Sequence, residues 1–135
     1  MLSFSANFQT DNLTLPGNAG RATINAIILP NVGTYVIGGQ QEFFNNDPKV
    51  QAYLSCTLVS NWAVETPLAN GAPQSSATVP PASSATLPLN GYYVADQAPT
   101  TLYLECAYGG TDYGMVFSSD LEAAQGGSLT AIQVK

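Results

Sequence analysis

Residues 100–106, TTLYLEC, place Leu102, Leu104 and Cys106 on one side of a two-residue period and Tyr103 and Glu105 on the other. That is the pattern of a β-strand with one face in a core. Residues 50–59, VQAYLSCTLV, repeat it, with Leu54, Cys56 and Leu58 sharing a face opposite Tyr53, Ser55 and Thr57. Both cysteines therefore share the inward phase, each on a strand able to supply one wall of a sandwich. Further strands are expected at 21–30, with Ile24, Ala26 and Ile28 on one face, and at 34–41, continuing into Phe43 and Phe44. In the closing segment 129–134, Ile132 and Val134 face one way and Ala131 and Gln133 the other.

The intervening segments read as turns, because Gly, Pro, Asn and Asp supply the backbone angles that turns require. They include LTLPGNAG at 13–20, NNDP at 45–48 and the glycine-rich stretch 109–114. Residues 61–84 carry Pro67, Pro73, Pro80 and Pro81 and are expected either to wander over the surface as a long connection or to make one edge strand near 77–79. Residues 85–94 resume strand character, although Pro88 cannot donate to a ladder and favours an edge or a bulge. The loose alternation of Leu2, Phe4, Ala6 and Phe8 makes residues 1–20 an N-terminal strand or an arm lying on a neighbour. SDLEAAQ at 119–125 suggests a short helical turn begun by a capping serine.

A chain of 135 residues is the size of one domain, here spanning 1–135, and can bury a real core. Its low charged fraction and many Thr, Ser, Val, Ile, Tyr and Gly residues fit an all-β fold. The net charge of −6, with only Arg21, Lys49 and Lys135 basic, argues against nucleic acid and anionic lipid, which are held by clustered cations. No apolar run is long enough to cross a bilayer, and the first residues lack the basic flank and hydrophobic segment of a signal peptide. Two cysteines allow a single intramolecular pairing, and both a disulfide and two buried thiols fit their phase.

The order of these segments resembles the jelly-roll domain of the tumour necrosis factor and complement C1q superfamily, particularly bacterial and phage relatives. The resemblance is carried by LPNVGTY at 29–35, LSCTL at 54–58, LYLEC at 102–106 and LTAIQV at 129–134. It implies a two-sheet antiparallel sandwich that assembles as a compact homotrimer. It also implies that segments 34–41, 100–106 and 129–134 share the inner sheet, whose exposed face lines the three-fold axis through Tyr103, Glu105, Ala131 and Gln133. Segment 50–59 would then lie in the other sheet, and a bridge between Cys56 and Cys106 would join the two sheets.

Catalytic chemistry finds little footing. With no histidine, a Ser or Cys nucleophile lacks its commonest base, and nine acidic residues show no distinctive spacing. Asp112 with Asp120 and Glu122, or Asp47 with Asn45 and Asn46, are rich in oxygen but lack the spacing of a calcium loop, so no metal and no cofactor are expected. Tyr92, Tyr93, Tyr108, Tyr113 and Trp62 sit beside turns or on expected outward faces, where a sugar ring or a protein partner could stack, and packing within a homotrimer explains them at least as well. Trp62 and Tyr113 are the candidates for a ring-stacking platform, with Asp112 or Asn61 accepting sugar hydroxyls. The expected function is a non-enzymatic structural or adhesion module on a virion, as a decoration, fibre or tail protein, or on a bacterial surface. Its partners would be its own copies and a capsid protein, cell-surface protein or glycan. The alternative is a lectin of the same fold that binds carbohydrate at subunit boundaries.

Overall fold

A computed structural model of the chain describes residues 2–7, 13–14, 21–62, 74–108, 110–112, 115–118, 120–124 and 126–135. Twelve strands are described. They are β1 (Leu2–Asn7), β2 (Leu13–Thr14), β3 (Arg21–Leu29), β4 (Gly33–Asn45), β5 (Ala52–Ser60), β6 (Gln74–Val79), β7 (Ser83–Ala95), β8 (Thr100–Tyr108), β9 (Gly110–Asp112), β10 (Met115–Phe117), β11 (Leu121–Ala123) and β12 (Ser128–Gln133). All pairings are antiparallel.

The six-stranded sheet is organised around β4. One edge of β4 pairs along its whole length with β7, while the other is shared between β12 at residues 35–40 and β11 at residues 43–45. β1 adds to the far side of β12, and β2 to β11. The four-stranded sheet has the order β3-β8-β5-β6, and β9 with β10 forms a separate hairpin. Pro88 lies in β7, whose one described sheet neighbour is β4, so the missing N–H falls on an edge strand.

The two sheets enclose one core. Tyr35, Ile37, Phe43, Leu87, Leu89, Leu121 and Leu129 come from the first sheet, and Ile27, Leu29, Leu54, Leu58, Leu102 and Leu104 from the second. Alternation along each strand produces this. Buried and exposed residues trade places almost every step in β4 and β7, because successive side chains leave opposite faces.

Four expectations are corrected. Residues 100–106 lie beside β5 in the four-stranded sheet, and Cys56 stands opposite Cys106 in register. Their disulfide therefore joins neighbouring strands of one sheet and not the two sheets. Alternation reports which way a side chain points, and two inward residues can be neighbours as readily as they can face each other.

In β3, a bulge between Thr23 and Asn25 shifts the phase. Ile24, Ile27 and Leu29 are buried as a result, whereas Ile28 is 61% exposed. Segment 119–125 contains the strand β11 in place of a helical turn, since Leu121 and Ala123 alternate with half-buried Glu122 and pair with β4. Finally, Ala131 is fully buried between the sheets, so its side chain is not on any exposed face.

Candidate functional site

The outward face of the six-stranded sheet follows the even-numbered residues of β4, namely Thr34, Val36, Gly38, Gln40, Glu42 and Phe44. Register supplies their neighbours. Val36 stands between Ile132 of β12 and Tyr92 of β7. These three side chains are 48%, 38% and 53% exposed, a contiguous apolar row across three strands. Val134 continues it, because its N–H donates to Thr34 O (2.8 Å) and extends the β4–β12 ladder by one step. Val32, in the turn before β4, is also exposed. Valine, isoleucine and tyrosine suit strands intrinsically, but nothing among the described residues covers these side chains, and contiguous apolar surface of this kind marks an interaction face.

Further along β4 the same face becomes polar. Thr130 Oγ1 donates to Gly38 O (3.2 Å), Gln40 pairs with Pro88, and Glu42 with Thr86. At the far end Phe44 is flanked by Ser84 on β7 and Glu122 on β11. A cleft of about 420 Å³ opens there, lined by Phe44, Asn45, Asn46, Ala82, Ser83 and Ser84. A smaller one of about 200 Å³ lies beside it, lined by Gln40, Glu42, Thr86, Gly126 and Gly127.

The loop after β4 is built from side-chain oxygens. The Asn45 amide is buried and its Nδ2 donates to Val50 O (2.9 Å), Val79 O (3.2 Å) and Pro80 O (3.2 Å). Asp47 Oδ1 accepts from the N–H groups of Lys49 (2.8 Å) and Val50 (2.9 Å). The Lys49 N–H first, and then that of Val50, hold the Asp47 carboxyl below the ordinary carboxylate range. Asn46 Nδ2 donates to Glu122 Oε1 (2.6 Å), and Asn46 N–H to Asp120 O (2.8 Å), so two oxygen-rich segments far apart in sequence meet here. Among the described residues, no group of three or more His, Cys, Asp or Glu is placed to hold a metal.

The residues nominated from sequence are dispersed. Tyr103 and Glu105 lie half-buried on the outward face of the other sheet, opposite Ala26 and Thr23 on β3 and Val59 and Thr57 on β5. The side-chain amide of Gln133 is occupied within its own chain. Its Oε1 accepts from Asn31 Nδ2 (3.3 Å), and its Nε2 donates to Val32 O (3.3 Å) and Lys135 O (3.3 Å).

Asn61 extends the β5–β8 ladder, donating its N–H to Thr101 O (3.0 Å) and accepting from Thr101 N–H at Oδ1 (2.8 Å). Trp62 follows on the same turn, half exposed, with Nε1 donating to Thr100 Oγ1 (3.0 Å). The backbone of Asp112 ends β9, while its side chain and the whole of Tyr113 lie outside the described residues. The apolar row at Val36 was missed because Val36, Tyr92 and Ile132 come from three separate segments. A register was needed to put them side by side.

No family model matches this sequence, and no curated protein matches it. Solved structures do match in fold. A chain of the T13 infectious bursal disease virus particle aligns with a TM-score of 0.70 at 13% identity, over 98% of this chain and 31% of the viral one. The VP2 subviral particle of the same virus gives 0.63 at 16% identity, over 98% and 32%. Eiger TNF from S. frugiperda gives 0.63 at 8% identity, over 99% and 92%. At such identities the likeness is one of fold. The chain is an all-β sandwich of two antiparallel sheets, consistent with a jelly roll and similar in fold to these viral and TNF chains; it spans about a third of the length of the viral chains and is not singled out as a bacterial or phage form.

Proposed function

We propose that this chain is a non-enzymatic structural module of a virion, which assembles as a homotrimer through the outward face of its six-stranded sheet. The observation that carries the reading is the row Tyr92, Val36 and Ile132, continued by Val134. Burial of apolar surface favours association, and three copies related by an axis bury the same patch three times. The strands at 34–41 and 129–134 are the ones that a likeness to the tumour necrosis factor and C1q superfamily would set beside such an axis. Tyr103 and Glu105 now belong to the other sheet and leave this role to Val36 and Ile132.

The fold shared with particle-forming viral chains supports placement on a virion, and so at the outside of a cell. With no histidine in the sequence, a Ser or Cys nucleophile would lack its commonest base. Light scattering of the purified chain at micromolar concentration tests the assembly, with three times the chain mass expected. A monomer mass under those conditions would overturn it.

A further inference from the structure

We propose that the cleft at the Phe44 end of the six-stranded sheet binds a neutral oligosaccharide. Phe44 is a half-buried aromatic on an outward face, and its two cross-strand neighbours are polar: the short Ser84, which leaves one side of the ring open, and Glu122. A pyranose presents an apolar C–H face rimmed by hydroxyls, so its site needs an aromatic surface bordered by planar amide, carboxylate and hydroxyl groups. Those groups surround Phe44. Asn46 lines the cleft, and its hydrogen bond to Glu122, on the β11 side of Phe44, fixes the amide and leaves Asn46 Oδ1 for ligand hydroxyls.

The wall opposite is also set in advance. Ala82 takes a left-handed backbone conformation (φ 53°), which costs on the order of 1 kcal/mol for a residue with a Cβ, and its N–H donates to Asp47 O (2.9 Å). That conformation places Ala82 and Ser83 along the cleft.

The ligand class follows from shape and charge. The second cleft begins two register steps away, at the next outward pair Glu42 and Thr86, and reaches Gln40. From Gln40 to Asn46 the strand and its exit rise about 20 Å, longer than a single sugar ring. Glu42 and Glu122 border this path in a chain of net charge −6, so sialylated, sulfated or phosphorylated ligands are repelled. Neither Trp62 nor Asn61 lines either cleft.

The test is calorimetric titration of the intact chain with a panel of neutral oligosaccharides and their sialylated counterparts. Saturable binding of a neutral member is expected, with at least tenfold loss in Phe44→Ala and in Ser84→Arg, which fills the cleft without touching the core. Trp62→Ala should bind as the parent does. Thermal melts of each variant separate lost binding from lost fold, and Ser84→Arg carries the conclusion if Phe44→Ala melts early. The idea is overturned by silence across the neutral panel at millimolar ligand, by binding that survives both cleft variants, or by preference for the sialylated forms.

Repeating the titration in Val36→Asp keeps this outcome apart from the assembly reading. Loss of the trimer with retained sugar binding leaves the cleft proposal standing. Binding seen in that variant alone means that copies cover the cleft, and overturns it as a site of the assembled protein.

Discussion

Cys56 and Cys106 stand directly opposite each other on β5 and β8, their Cα atoms 4.1 Å apart and their sulfurs bonded in the core. The bond closes a loop between residues 50 apart in sequence, across a segment that includes β6 and β7. In the chain-entropy account a loop of that length is worth roughly 4 kcal/mol. We therefore expect the double replacement Cys56→Ala, Cys106→Ala to lower unfolding free energy by about that amount while leaving the far-ultraviolet spectrum of the sheets intact. Denaturant titration measures it, and a loss below about 1 kcal/mol would count against the chain-entropy account for this bridge.

Asn45 ties three segments together at the other end of the sandwich. Its amide nitrogen carries two hydrogens and faces three carbonyls, one of them on Val79 at the end of β6 and one on Pro80 just after it. Asn45→Ala leaves those carbonyls without a donor and should cost about 2 kcal/mol. Asn45→Asp should cost more than Ala, because it turns a carboxylate oxygen toward carbonyl oxygens in a buried place. Equal stabilities for the two variants would mean that the loop rearranges, and urea midpoints rank them.

What could be read in the sequence was direction, and what could not was neighbourhood. The alternation in TTLYLEC and VQAYLSCTLV correctly turns Leu54, Cys56, Leu102 and Leu104 inward, because a period of two depends on local geometry alone. It is silent about pairing, so it cannot distinguish strands of opposite sheets from neighbours such as β5 and β8. A single bulged residue near Ile24 was enough to turn Ile28 from the core to solvent. The apolar row needs residues from three strands and the Phe44 cleft needs residues from two strands and the loops beside them, and no local pattern announces either. The half-exposed Trp62 drew notice as a lone aromatic in a loop, yet its indole N–H is spent on Thr100.

Acid should loosen the loop after β4. The Asp47 carboxylate accepts two backbone N–H bonds that favour its charged form, so its folded pKa lies below the ordinary 3.8. A depressed carboxylate stabilises the fold above the unfolded pKa, and the contribution disappears as pH falls through the folded value. It is a small contribution, since the group is open to water. Asp47→Asn keeps an acceptor oxygen but removes the charge. The parent should therefore be the more stable at neutral pH, with the gap closing as pH drops below 3.8. A gap independent of pH would assign the effect to loop geometry and not to ionisation.

The assembly face can be separated from the opposite sheet by one pair of substitutions. Val36 lies between Tyr92 and Ile132 and is half exposed, so an aspartate there is tolerated by a single sandwich but brings like charges together when copies meet on this face. Val36→Asp should raise the dissociation constant of the assembly at least a hundredfold, equivalent to about 2.8 kcal/mol, with little change in the melting temperature of the separated chain. Tyr103 lies on the outward face of the other sheet, opposite Ala26 and Val59. Tyr103→Arg should leave the mass of the assembly unchanged. Analytical ultracentrifugation of both variants decides between the faces: dissociation in Tyr103→Arg with an intact trimer in Val36→Asp would move the axis to the four-stranded sheet, and the row at Val36 would then need another partner.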